Sequence, residues 1–196
     1  MSDPKYCLLV PHFNHIVALS NFLPQLESLD LPCIVVDDGS DPEQRTQLEE
    51  LLAQADGFDL VTHTQNMGKG AAMMTGAKSA RELGFTHILQ IDADGQHNIE
   101  DVRKFITYSQ QNPNTIVSGA PQFAADAPKA RVYGRKVTDF WVALETLSLN
   151  FKDSLCGFRI YPLNHFKQVT DKFSLGNRMD FDTEVLVKSV WLGAQV

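Results

Sequence analysis

The chain has 196 residues, of which 43% are hydrophobic and 21% are charged, values typical of one soluble globular domain. Its formal net charge of −7 argues against a nucleic-acid-binding protein, whose surface is normally basic. No apolar run approaches the ~18 residues that a membrane-spanning helix requires. Three widely spaced cysteines match no metal-ligand spacing and indicate reduced core residues of a cytoplasmic protein.

Strand and helix signals alternate along most of the sequence. Short apolar runs predict strands at residues 7–10, 33–36, 60–63, 87–91 and 115–119. Apolar residues at helical spacing predict intervening helices over residues 16–29, 42–55, 71–83 and from about 99. Buried strands separated by helices are typical of an α/β fold with a mostly parallel central sheet, flanked by helices on both faces.

The signals are less regular beyond residue 120. Residues 122–131 are expected to form a mobile loop, and a helix is predicted over 132–149. A loop that begins at Asp153 runs into a further strand, and a last helix is predicted over 185–192. Residues 193–196 resemble the start of one more strand, so we expect the natural protein to continue past them.

Two carboxylates, one residue apart, follow the predicted fourth strand. In an extended segment residues i and i+2 point to the same side, so Asp92 and Asp94 can offer hard oxygen ligands to one divalent cation. Mg²⁺ is typically held by one or two carboxylates together with substrate phosphates. The alternative is an acidic turn that only ends a strand. Because the second strand also ends in carboxylates, the pattern favours a metal-assisted phosphate site.

The ends of the first two strands predict a nucleoside site. Pro11 and Asn14 follow the first strand, while Asp37 and Asp38 follow the second. Ligands of parallel sheets bind at the carboxyl ends of the strands, where an acid can accept hydrogen bonds from a base or a ribose. Two adjacent buried acids are otherwise costly, so at least one of them is expected to be functional. The alternative is a turn and helix cap, which is the role expected for Asp41.

Residues 66–70, Asn-Met-Gly-Lys-Gly, resemble a small phosphate-binding loop. Glycines allow close backbone approach, a helix N-terminus favours an anion, and Lys69 adds a positive charge. The long glycine spacing of a P-loop is absent. A helix-start turn with an exposed lysine is the alternative interpretation.

The ordered set of motifs resembles family 2 glycosyltransferases, in particular the branch similar to dolichyl-phosphate mannosyltransferases and polyprenyl-phosphate sugar transferases. The motifs are Val-Pro-x-x-Asn (10–14), Val-Val-Asp-Asp-Gly-Ser (35–40), Asn-x-Gly-Lys-Gly-Ala-Ala (66–72), Asp-Ala-Asp-Gly-Gln-His (92–97), Asp-x-x-Cys-Gly-Phe-Arg (153–159) and Phe-Asp-Thr-Glu (181–184). The resemblance covers essentially the whole chain, and the ordered set is far more specific than any single motif.

The resemblance implies a GT-A, Rossmann-like fold that uses a UDP- or GDP-linked sugar together with Mg²⁺ or Mn²⁺. By this analogy Asp37 and Asp38 lie with the nucleotide, Asp92 and Asp94 hold the metal on the diphosphate, and Gln96 assists at the metal. Residues 1–196 would form one domain with a nucleotide-sugar-binding half (1–120) and an acceptor half (121–196), lacking a C-terminal segment.

The expected reaction is a metal-dependent, inverting sugar transfer in which the metal neutralises the diphosphate leaving group. The candidates for added positive charge are Lys69, Arg131 and Arg135, with a surface position on a helix or loop as the alternative for each. A hydroxyl acceptor needs a general base, for which the candidates are Asp182, Glu184 and Asp153. Asp182 as a helix cap and Glu184 as a first-turn acid are the alternatives. A lipid phosphate is already anionic and requires no base.

The acceptor is expected to be lipid-linked or part of a cell-envelope glycan, which would place the enzyme at the cytoplasmic face of a membrane. A nucleotidyltransferase is disfavoured, because residues 11–14 (Pro-His-Phe-Asn) replace the Gly- and Arg/Lys-rich loop typical of those enzymes. A non-catalytic nucleotide-sugar-binding domain is the second alternative.

Overall fold

The computed structural model describes residues 3–93, 98–120, 142, 144–146 and 156–196. Six strands in these residues form one sheet in the order β3-β2-β1-β4-β6-β5. The strands are β1 (Tyr6–His12), β2 (Cys33–Asp37), β3 (Phe58–Thr62), β4 (His87–Gln90), β5 (Val117–Ser118) and β6 (Arg159–Pro162). The helices are α1 (Ile16–Glu27), α2 (Pro42–Leu52), α3 (Lys69–Glu82), α4 (Asp101–Gln111), α5 (Leu163–Lys172) and α6 (Phe181–Trp191).

The sheet is mostly parallel, as the apolar runs predicted. Strands β3, β2, β1 and β4 run parallel to one another, with Leu8 of β1 opposite both Cys33 and Leu89. Strand β6 pairs with β4 in the antiparallel sense, placing Ile160 opposite Leu89, and β5 pairs antiparallel with β6. The carboxyl ends of β1, β2 and β4 therefore meet at one edge, where the polar motifs follow them.

Helices cover both faces of the sheet, which confirms the predicted α/β class. On one face Leu8 and Val35 pack in a core with Phe22 of α1 and Leu48 of α2. On the other face Leu9 and Val36 pack with α3, α5 and α6. Strand side chains alternate between the two faces, so both sets are apolar because both faces are buried. Within the described residues no helix is long and apolar enough to cross a bilayer.

The helix boundaries differ from the predicted ones at functionally important points. Helix α3 begins at Lys69, two residues earlier than predicted, and α6 begins at Phe181 instead of residue 185. Helix α5 was not predicted, although its buried residues Leu163, Phe166 and Val169 lie at helical spacing. Of the helix predicted over 132–149, residues 142 and 144–146 are described, and they are helical. The predicted loop at 122–131 lies outside the described residues.

Candidate active site

A cavity of about 600 Å³ opens at the edge where β1, β2 and β4 end. Pro11 and Phe13 line it from the end of β1, Asp38 from β2 and Asp92 from the segment after β4. The start of α3 and the loop before α6 complete the wall with Gly68, Lys69, Ala72, Arg178 and Met179. The structure therefore brings four predicted site residues, Pro11, Asp38, Lys69 and Asp92, to one cavity.

Asp37 is fully buried beneath this edge and is held by three side chains. Its carboxylate accepts hydrogen bonds from the Ser40 hydroxyl and from Arg45 Nε at 3.2 Å, and His12 Nδ1 lies 3.3 Å from its Oδ1. Burial lowers the pKa of His12, and the neighbouring Asp37 raises it in part. Asp37 thus joins β1, β2 and α2, and its buried charge is compensated by these donors.

Asp38 faces the cavity but is also saturated by protein donors. It accepts backbone hydrogen bonds from Met67 at 2.9 Å and Gly68 at 2.7 Å, and His63 Nδ1 lies 2.7 Å from its Oδ1. The other ring nitrogen of His63 lies 2.9 Å from Thr75 Oγ1 on α3. Asp38 therefore fixes the turn before α3. Gly68 in that turn has φ +100°, a conformation that favours glycine.

Asn14 is not among the residues that line the cavity, and it shapes the turn after β1. Its backbone N–H donates to Ser40 Oγ at 2.9 Å, and its side chain exchanges two hydrogen bonds with Asp41. Asn14 has φ +52°, which asparagine tolerates better than most residues. Asp41 is the N-cap residue of α2, as predicted, but its carboxylate bonds to Asn14 instead of capping a helix N–H.

Lys69 links two carboxylates that are remote in sequence. Its Nζ lies 2.7 Å from Asp92 Oδ1 and 2.8 Å from Asp182 Oδ2. Burial lowers the pKa of Lys69, but the charges of Asp182 and Asp92 outweigh this effect and raise it overall. The alternative interpretation of an exposed lysine is wrong, because the Lys69 side chain is 15% exposed and bridges two carboxylates.

Asp182 lies behind Lys69, and its side chain is 4% exposed. Its Oδ1 accepts a hydrogen bond of 2.9 Å from Gln90 Nε2, and its backbone carbonyl accepts one from the guanidinium of Arg159. Asp182 is in the first turn of α6, whose N-cap is Asp180, so it is not the helix cap. Both carboxylate oxygens are thus engaged within the protein.

Glu184 is the predicted first-turn acid of α6 and faces the loop before that helix. It accepts a hydrogen bond of 3.1 Å from the backbone N–H of Gly176 and forms an ion pair with Lys188. The same loop is fastened to α3, because the Gly70 N–H donates to the Asn177 carbonyl at 2.8 Å. These contacts hold Arg178 and Met179 at the cavity wall.

Gly157 packs directly on the ion pair of Lys69 and Asp92. A methyl group at this position would lie 2.6 Å from Asp92 Oδ2 and 2.9 Å from Lys69 Nζ. Both distances are shorter than van der Waals contact, so the pair is formed against bare backbone. This explains the glycine in the motif at 153–159 on steric grounds.

Asp92 is the described member of the predicted metal set. Its carboxylate offers hard oxygen atoms, lines the cavity, is 29% exposed and already holds one cationic group, which fits a divalent cation. Asp94 and Gln96 lie outside the described residues, as do Asp153, Arg131 and Arg135. In the part of the chain that the structure describes, no three His, Cys, Asp or Glu side chains are grouped as a metal site.

Sequence reasoning missed several residues of this region. Arg178 lines the cavity without an ion pair among the described residues, and His63 and Gln90 hold Asp38 and Asp182. Arg178 lies three residues before Phe181, the first residue of the Phe-Asp-Thr-Glu motif, and this proximity was the only sequence signal for it. The roles of His63 and Gln90 depend on packing between distant elements and leave no local pattern.

Comparisons with known proteins agree with this architecture. The model of the glycosyl transferase family 2 matches residues 7–178. A UDP-N-acetylglucosamine–dolichyl-phosphate N-acetylglucosaminyltransferase of Methanococcus voltae is 26% identical over 95% of this chain and 80% of its own length. A dolichyl-phosphate beta-glucosyltransferase, ALG5D, of Trichomonas vaginalis is 28% identical over 79% of this chain and 48% of its own.

Solved structures confirm the GT-A fold. The mannosyltransferase PcManGT from Pyrobaculum calidifontis, in complex with GDP-Man and Mn²⁺, is 16% identical, with a TM-score of 0.69 over 100% of this chain. TarS 1–349 of S. aureus is 18% identical, with a TM-score of 0.64 over 95% of this chain. The chain spans 54% and 55% of these two structures, about half of their length.

Proposed function

Because this chain belongs to glycosyl transferase family 2, we propose that it transfers a sugar from a nucleotide-diphosphate sugar to a lipid-linked phosphate, with the help of Mg²⁺ or Mn²⁺. The observation that carries the proposal is the Asp92 carboxylate, which faces a cavity at the carboxyl edge of the parallel strands. Ligands of open α/β sheets bind at this edge.

The donor would lie along this edge, with its diphosphate near Asp92 and Lys69. Asp92 would hold the metal, together with Asp94 and Gln96 if the resemblance extends to them. When bound, the metal would supply charge neutralisation for the diphosphate leaving group. Lys69 is charged and adjacent, and Arg178 offers a guanidinium that suits phosphate oxygens.

The base of the nucleotide would be received by the turns after β1 and β2. Pro11 and Phe13 contribute apolar surface there, and Asp38 fixes the neighbouring turn at 66–68. Asp37 would act through the packing of β2 against α2, since its carboxylate is buried among His12, Ser40 and Arg45. Asp37 would therefore support the nucleotide site from beneath, without contacting the nucleotide.

An anionic acceptor is favoured by the surroundings of two candidate bases. Asp182 is buried behind Lys69, and Glu184 is paired with Lys188. Neither is among the residues that line the cavity. A phosphate acceptor needs no proton removed before attack, whereas a hydroxyl acceptor needs a base within hydrogen-bond reach. The names of the relatives from Methanococcus voltae and Trichomonas vaginalis contain dolichyl phosphate as the acceptor, which agrees with this choice.

A transfer assay tests the proposal. The protein is incubated with radiolabelled GDP-mannose, UDP-glucose or UDP-N-acetylglucosamine, Mn²⁺ and either dolichyl phosphate or dolichol. We expect label from one donor to become extractable into organic solvent with dolichyl phosphate, and not with dolichol or in EDTA. Equal transfer to dolichol would overturn the anionic acceptor, and folded protein that transfers no label from these donors to either lipid would contradict the proposed reaction.

A further inference from the structure

Lys69 is arranged to neutralise Asp92 in the protein without a metal. Its Nζ lies 2.7 Å from Asp92 Oδ1, well within ion-pair distance. The same ammonium lies 2.8 Å from Asp182 Oδ2. Two carboxylates thus share one cation, and the cluster of these three groups keeps a net negative charge.

The two carboxylates hold Lys69 differently. Asp182 is fixed by Gln90 Nε2, 2.9 Å away, and its side chain is 4% exposed, whereas Asp92 is 29% exposed and lies at the cavity wall. Gly157 closes the space behind the Lys69–Asp92 pair. An ammonium displaced from Asp92 therefore keeps a rigid partner in Asp182 and remains beside the cavity.

A divalent cation at Asp92 would meet this ammonium directly. Both positive groups require the same carboxylate, and like charges in a partly buried site repel each other strongly. Metal binding to the free protein is therefore opposed by Lys69. A bound diphosphate offsets this repulsion, because its negative charge attracts both the metal ion and the Lys69 ammonium group.

We propose that Lys69 is a resident counter-cation that competes with the divalent metal for Asp92 and is retained by Asp182 to face the diphosphate once the metal is bound. This inference rests on the proposed function, since it requires a metal at Asp92. It makes Asp182 a positioning residue that acts through Lys69. It also predicts that the metal binds more tightly to the nucleotide-bound protein than to the free protein.

Titration of Mn²⁺ into the nucleotide-free protein, followed by the electron paramagnetic resonance signal of free Mn²⁺, tests the competition. We expect Lys69→Met to bind Mn²⁺ about tenfold more tightly than the unaltered chain, because the competing charge is gone. Lys69→Arg keeps that charge and should bind as weakly as the unaltered chain. Lys78→Met is the matched control on the same helix, since Lys78 is exposed and pairs with Glu82 at 3.9 Å.

A second arm uses saturating Mn²⁺ and calorimetric titration of GDP and UDP. Here Lys69→Met should bind the preferred nucleotide about tenfold more weakly, because a positive charge next to the diphosphate is lost. The same substitution is thus expected to shift the metal and nucleotide affinities in opposite directions. Circular dichroism checks folding, and Lys69→Gln, which can hydrogen-bond both carboxylates, replaces Lys69→Met if the latter does not fold.

The outcomes separate this inference from the function on which it rests. If Asp92→Asn abolishes Mn²⁺ binding while Lys69→Met and Lys69→Gln bind Mn²⁺ no more tightly than the unaltered chain, the competition is refuted and the metal site stands. If Mn²⁺ does not bind to the unaltered, folded chain with or without nucleotide, both the metal site and the competition are refuted. Tighter Mn²⁺ binding by an uncharged variant at position 69 supports the proposal.

Discussion

Two strands of the sheet end in carboxylates, yet the structure uses these carboxylates in opposite ways. At the end of β2, Asp37 and Asp38 are buried and accept hydrogen bonds from the Arg45 side chain and from the backbone N–H groups of Met67 and Gly68. After β4, Asp92 is 29% exposed, faces the cavity and holds one ammonium group. The first end is a structural anchor, and the second is available to a ligand.

The carboxylates at the end of a strand can therefore be stabilised in two physical ways. A buried carboxylate must be satisfied by the protein itself, because leaving it unpaired is costly. A carboxylate at a cavity can be completed by a cation from solution. Exposure and the number of protein donors distinguish the two solutions, and the residue type does not.

The largest loss of activity is expected when Asp92, the carboxylate that faces the cavity, is replaced. Asp92→Asn should lower sugar transfer at least about 100-fold, because a metal ligand is lost. Its free energy of unfolding should fall by less than about 2 kcal/mol, because the amide oxygen of asparagine can still accept from Lys69, which also keeps Asp182 as a partner. Transfer assays and urea unfolding of the same preparation measure both quantities. Lost activity explained by an unfolded protein would contradict this assignment.

The opposite profile is expected for Asp38→Asn. The amide cannot accept from both the Met67 and Gly68 N–H groups while it faces His63, so charge-assisted bonds are lost in a buried site. We expect a loss of about 2–4 kcal/mol in unfolding free energy. Urea denaturation measures it, with Asp41→Asn as the control, since Asp41 is exposed. Unchanged stability of Asp38→Asn would remove its role as an anchor.

Gly157→Ala tests whether the Lys69–Asp92 pair must be formed against bare backbone. The new methyl group would lie 2.6 Å from Asp92 Oδ2, so the carboxylate has to shift. We expect about a tenfold loss of transfer activity, as small displacements of catalytic groups are costly. Gly84→Ala is the control: its methyl group meets open space, but Gly84 has φ +85°, so this substitution should lower stability and leave activity unchanged. Equal activity of Gly157→Ala and the unaltered chain would show that the pair tolerates displacement.

A smaller effect is expected at the cavity wall. Arg178→Ala should weaken binding of the diphosphate or of the acceptor phosphate about tenfold, in line with the loss of one charge-assisted contact. Separate measurements of KM for donor and acceptor show which phosphate is affected. Arg103→Ala, on the exposed side of α4, is the matched control. If both variants behave alike, Arg178 has no phosphate to bind.

The smallest effect is the dependence of stability on pH. Burial lowers the pKa of His12 and of His87 below their ordinary value, which Asp37 and the Pro113 carbonyl, respectively, offset in part. Both imidazoles are therefore harder to protonate in the folded chain than in the unfolded chain, so protonation favours the unfolded chain. Stability should be complete above the unfolded pKa of about 6.5 and decline below it. Urea unfolding at pH 7.5 and 5.5 measures this, and a flatter decline is expected for His87→Gln.

The sheet and most helices were predictable, because uninterrupted apolar runs and helical spacing record burial on both faces. The same pattern predicted that the ligand-binding edge lies at the carboxyl ends of the strands. Four of the predicted site residues line one cavity at this edge, namely Pro11, Asp38, Lys69 and Asp92. These inferences rely on local sequence and on the known geometry of parallel sheets.

The contacts within the site were not predictable in the same way. Lys69 and Asp182 are 113 residues apart, and Gln90 and Asp182 are 92 apart. Their pairing depends on how α6 packs against α3 and β4, a tertiary arrangement that no local pattern encodes. For the same reason Asp182 looked like a candidate base, whereas the structure surrounds it with Lys69, Gln90 and Arg159.

We have proposed that the edge carrying Asp92 is a metal-dependent site for a nucleotide-diphosphate sugar. Calorimetric titration of GDP and UDP, each with Mn²⁺ or with EDTA, tests it most directly. We predict that one nucleotide binds in Mn²⁺, that EDTA abolishes the binding, and that Asp92→Asn does the same. Equally tight binding in EDTA, or no binding of either nucleotide to folded protein, would contradict it.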